Sequence, residues 1–184
     1  MLTRSGILRP LAFGVALLFT RIAGNTQPWG PLTNEHPIVI DHLIHLYDGL
    51  TSQIAARNSA DPEHADSRQQ GAMGLFGVSA AGYQTMGIIL SAAKVKLDTE
   101  RSAQSKYVSG LASNTPSTSV QATMQDFHQQ QLATFRQVLV DLKAQLNSTD
   151  WAALQAFIGT ELTGKIKVGM MNRPVNPPPG NAKP

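Results

Sequence analysis

The densest group of side chains able to do chemistry is Asp41, His42, His45, Asp48 and Ser52. In a helix turning roughly 100° per residue, Asp41, His45, Asp48 and Ser52 fall within about 60° of one another, with His42 further round. Carboxylates and an imidazole on one stripe could hold a divalent cation or move protons, so Asp41, His45 and Asp48 are the candidate metal ligands. The same arithmetic sets them opposite the apolar series Ile40, Leu43, Tyr47, Leu50 and Ile54. The polar stripe is therefore expected to face solvent, where charge pairing along a helix surface is enough to account for it.

His128 is a second kind of candidate. It falls among Met124, Leu132, Phe135, Leu139, Leu142 and Leu146, which repeat at helical spacing, so it reads as a core histidine bonded across a bundle. Axial ligation of haem by His128 with Met86 or Met124 is the alternative that such a position allows. Other chemistries lack their residues. There is no Cys, which removes disulfides, thiolate metal sites and cysteine nucleophiles. Glu-x-x-His, His-Glu-x-x-His, Gly-x-Ser-x-Gly, the P-loop and the dinucleotide fingerprint are missing too. The chain reads as cofactor-free and not an enzyme.

The elements that must position these residues are helices. Strand-type alternation is nearly absent, and four amphipathic segments stand out, over about 35–56, 79–107, 120–146 and 150–163. Thr33 or Asn34 can cap the first, with Pro37 in its opening turn. Residues 57–70 are polar throughout, contain Pro62 and are expected to form a loop. Met73–Gly77 reads as a glycine-punctuated turn and Ser79 as the next cap, with Tyr83, Met86, Leu90, Ala93 and Leu97 turned inward. Residues 71–93 carry no charge, yet their glycines and Gln84 weaken a membrane-span reading. Asn147 can cap the last helix, which Thr163-Gly164 is expected to end. Val78-Ser79 with Tyr83 and Leu146-Asn147 with Trp151 use the same start chemistry: an apolar residue, a cap, then an aromatic four positions on. Four one-sided helices bury their stripes as a four-helix-bundle-like single domain over 34–164.

The flanks differ in character. Residues 1–24 have the pattern of an export signal, with Arg4 and Arg9 ahead of an apolar run from Leu11 to Thr20 and small residues at Ala23 and Gly24. Residues 25–33 form a linker, and 165–184 a basic, proline-rich tail expected to be largely disordered. The formal charge of +3 hides an uneven distribution. Three of the 15 basic residues lie in the signal and four follow Gly164, leaving an acidic helical body. Lys94, Lys96, Arg101 and Lys106 are interrupted by Asp98 and Glu100 without interleaved aromatics, which disfavours a nucleic-acid partner. The expectation is an exported protein, periplasmic or secreted. It presents helix faces or a groove to a protein partner or to its own copies, with no membrane span after signal cleavage. On that reading an exposed apolar patch should exist.

Overall fold

The computed structural model describes residues 32–112 and 114–166. The segment read as an export signal, most of the expected linker and the tail beyond Ile166 lie outside the described residues. Chain contacts separate 1–30 from a second compact unit, Pro31–Pro184, and everything below concerns the latter.

The described residues are all-α, with five α-helices and no strand: α1 (Pro37–Ala60), α2 (Ala65–Phe76), α3 (Ala80–Ser109), α4 (Ser117–Gln145) and α5 (Ser148–Phe157). α2 is the addition to the four expected. The polar segment 57–70 is mostly not a loop. α1 runs on to Ala60, a single 3-10 turn spans Pro62–His64, and α2 starts directly after it. Pro62 opens that turn, where its missing N–H removes no internal bond. Arg68 then pins the corner, donating to Asn58 Oδ1 at 2.8 Å, to the Asp61 carbonyl at 2.6 Å and to Asp61 Oδ2 at 2.5 Å. Only Ala72 and Phe76 of α2 are buried, so α2 has too narrow an apolar stripe to announce itself by period.

The α2–α3 junction bends by 80°. Gly77 takes the left-handed conformation at φ 69°, closing α2, and Ser79 Oγ accepts from the Gly82 N–H to open α3. α1, α3 and α4 pack on one another. Paired side chains fix the sense. Glu100 meets Thr134, Gln104 meets Gln131 and Tyr107 meets Phe127, so α4 returns antiparallel along α3. Asp41 meets Arg101 and Asp48 meets Lys94, so α1 is antiparallel to α3 as well. The core contains Ile40, Leu43, Met86, Leu90, Leu97 and Leu142, each 1% exposed or less. The inward series read for α3 is buried in full.

At the C-terminal end the helix does not stop at Gly164. After α5 one π turn spans Ile158–Leu162, and helix continues through 163–166 with Thr163 and Ile166 buried. The first helix also starts differently from the expectation. His36 is the cap, its Nδ1 accepting from the Ile38 N–H at 3.2 Å, with Pro37 behind it. Asn34 instead crosses to α5, donating to the Gln155 carbonyl at 3.0 Å and to Gln155 Oε1 at 2.9 Å.

Candidate binding surface on α3

The α1 polar stripe does not stand alone in solvent. Arg101 of α3 reaches over and forks between Asp41 Oδ1, at 2.6 Å, and His45 Nε2, at 3.0 Å. Lys94 sits 2.5 Å from Asp98 and 4.0 Å from Asp48. His42, His45, Asp48 and Ser52 are exposed as expected, and the added partners come from α3 because Arg and Lys stems are long enough to span from its flank. Each member of the Asp41, His45, Asp48 set thus faces a resident guanidinium or ammonium where a metal cation would have to sit. Among the described residues no group of three His, Asp or Glu side chains is placed to hold a metal. His42 is exposed on the same helix, its Nδ1 3.0 Å from the Ile38 carbonyl.

His128 is exposed, not a core histidine. The half-buried line on that part of α4 runs through Val120, Thr123, Met124, Phe127 and Gln131, and His128 stands roughly 90° away from it. Met86 is fully buried but lies level with the start of α5, some 30 Å along the hairpin by helix rise. Met124, one turn from His128 on the same helix, lies 3.8 Å from Gln104 Nε2, which donates to its sulfur. No buried His–Met pair for a haem iron is formed by these residues.

Two polar constellations that the sequence concealed are structural. Asp150, 3% exposed, accepts from the Ser79 N–H at 2.7 Å, Ser79 Oγ at 2.6 Å and Asn147 Nδ2 at 2.6 Å. Those donors hold its carboxyl below the usual carboxylate range, the Ser79 hydroxyl foremost. Close by, Tyr47, Phe76 and Tyr83 form an aromatic cluster, and Phe157 packs edge-on to Phe76 at 5.0 Å. Burial, with Tyr83 alongside, pushes the Tyr47 phenol up to about 12, and burial raises Tyr83 too. Both phenols therefore stay protonated near neutral pH and offer no acid–base chemistry there.

What remains open is the outer face of α3. Ala81, Thr85, Ile88, Ala92, Val95 and Thr99 follow one another at 4,3,4,3,4 spacing, opposite the buried series. Ile88 is 73% exposed and Val95 67%, the largest exposures among the large apolar side chains of the described residues. The stripe carries no charge, and beyond Val95 the same open face of α3 continues through Asp98, Thr99, Ser102, Ala103 and Lys106. Reading α3 for its inward series alone passes over this second one, although the spacing of Ile88 and Val95 was its signal. Among the described residues no single helix is long and apolar enough to cross a membrane; the bent α2–α3 pair meets that test only jointly. Neither protein-family models, curated proteins nor solved structures give a match to this chain.

Proposed function

We propose that the protein is an exported, non-enzymatic helical binding protein that docks a helix of a protein partner on the outer face of α3. The carrying observation is the uncharged stripe through Ile88 and Val95, about 27 Å long by helix rise, exposed at every position but the half-buried Thr85. A 3,4 series is the pattern by which one helix receives another, and the Ala and Thr positions between the two larger side chains allow close approach. Export rests on the pattern at residues 4–24, and cleavage after Gly24 would leave Asn25 as the first residue.

The test is photo-crosslinking in the native cell from a reactive residue placed at Ile88 or Val95, with Val140 on α4, 58% exposed, as the control. Discrete adducts at both α3 positions and none at Val140 are expected. With the reactive residue at Ile88, Val95→Asp should abolish the adduct, and with it at Val95, Ile88→Asp should do so, neither lowering the melting temperature, since neither side chain is buried. Equal labelling at Val140, or adducts that survive Asp at the other α3 position, would overturn the reading. N-terminal sequencing of the same preparation checks for Asn25.

A further inference from the structure

We propose that the α3–α4 hairpin is a two-part device: its tip, 104–109 of α3 with 117–131 of α4, opens while the base stays folded. The last buried side chain on α3 is Leu97, and the first on α4 is Leu132. Beyond that level the two helices meet through a thin seam of half-buried side chains, apolar ones such as Val108, Val120 and Met124 interleaved with Gln104 and Gln131. Tyr107 and Phe127, both half-buried, approach with ring centroids 5.9 Å apart. Gln131 Nε2 donates to Gln104 Oε1 at 3.0 Å, and Gln104 Nε2 to the Met124 sulfur. Neutral side-chain hydrogen bonds exchange with water at little net gain, and half-exposed rings keep much of their hydration when closed.

The third helix supports only the base. Among the described residues, the ion pairs and hydrogen bonds that tie α3 to α1 end at Arg101. Glu100 sits at this boundary. Its Oε1 accepts from Thr134 Oγ1 at 2.9 Å, while Oε2 is buried with no hydrogen-bond partner. A buried, unsatisfied carboxylate oxygen penalises the closed state alone, because opening lets water reach it. Tip helices with no buried residue have little to hold them against fraying, since short helices depend on tertiary packing. Opening would uncover Tyr107, Met124 and Phe127 on one side of the hairpin.

Amide hydrogen exchange on the full chain tests this. Amides of 104–109 and 121–131 should exchange at least about 100-fold faster than those of 86–97 and 135–145, with an opening that depends weakly on denaturant. Gln104→Leu with Gln131→Leu, which makes the seam apolar, should slow tip exchange about 10-fold and leave the base unchanged. Glu100→Gln, which removes the buried carboxylate, should slow it as well. Equal protection in tip and base would overturn the proposal. So would tip exchange that the Leu pair leaves unaltered, or that shares the denaturant dependence of global unfolding.

Discussion

Asp150 is the third residue of α5, from which a side chain ordinarily reaches back to its own cap's N–H. Here it reaches across to α3 and takes the Ser79 N–H and hydroxyl, while Asn147 closes the other side. One carboxylate thus serves the starts of two helices, α3 and its own, bonding a cap 71 positions away. Asp150→Ala should cost about 2–4 kcal/mol by leaving those donors unpaired, and Ser79→Ala about 1–2 kcal/mol. The double variant should fall short of the sum by about 1 kcal/mol in denaturant titrations, because both changes remove the same bonds. The pH dependence has a definite sign. Asp150 is depressed from its ordinary 3.8, so its contribution is whole above that value and is lost as pH falls through the folded-state pKa. His36 is lowered by burial from 6.5, and its Nδ1 must stay unprotonated to cap α1. Its share is whole above 6.5 and declines as pH falls through its lowered value. His36→Asn, which keeps a capping oxygen without the titration, should flatten the fall in melting temperature as pH drops below 6.5. Ser79 and Asn147 were legible as caps because capping is local. Asp150's role was not, and Asn34 lost the cap to His36 because Gln155, 121 positions away, engages its side chain.

At the scale of elements, what a glycine faces decides whether it weakens its helix. Gly71 and Gly74 of α2 and Gly49 of α1 point into open space, and each is exposed. Replacing any of them with Ala should raise stability by about 0.5–1 kcal/mol, the ordinary gain in a helix interior. Gly82 is buried in the first turn of α3, where an added Cβ would run into the Asp150 carboxylate. Gly87 lies under the Tyr47 hydroxyl in the same manner. Gly82→Ala should therefore reverse the sign and lower the melting temperature, a contrast that one thermal scan of the four variants reads directly. The same elements mark where pattern reading worked. α3 and α4 are long and periodic, and they appear within a few residues of their expected bounds. α2 was read as loop because polar composition and Pro62 outweighed a stripe only two residues deep. Gly164 was read as a stop, yet the chain stays helical there because Thr163 and Ile166 are buried against the body. Burial by neighbours distant in sequence leaves no local signature at either place.

For the molecule as a whole, the number of neighbours each stretch of helix has sets how much of its apolar stripe is buried. α1 covers the hairpin up to the level of Arg101, so Leu97 and Leu142 are sealed on all sides, whereas Met124 and Phe127 have essentially one helix to lean on. Periodicity along α4 cannot register that change of surroundings, which is why His128 read as interior. Stability should accordingly be graded along the long axis. Leu97→Ala, at a site 0% exposed, should cost about 2–5 kcal/mol and shift the cooperative unfolding transition. Phe127→Ala removes a larger side chain but only a half-buried one, and should cost about 1 kcal/mol or less at that same transition. Denaturant titration of both variants checks the grading. If Phe127→Ala destabilised as much as Leu97→Ala, the tip would have to be counted part of the cooperative core. If it does not, the side chains the tip can uncover are ones whose exposure the fold tolerates, and the aromatic pair at 5.9 Å is available for contacts outside the bundle without endangering it.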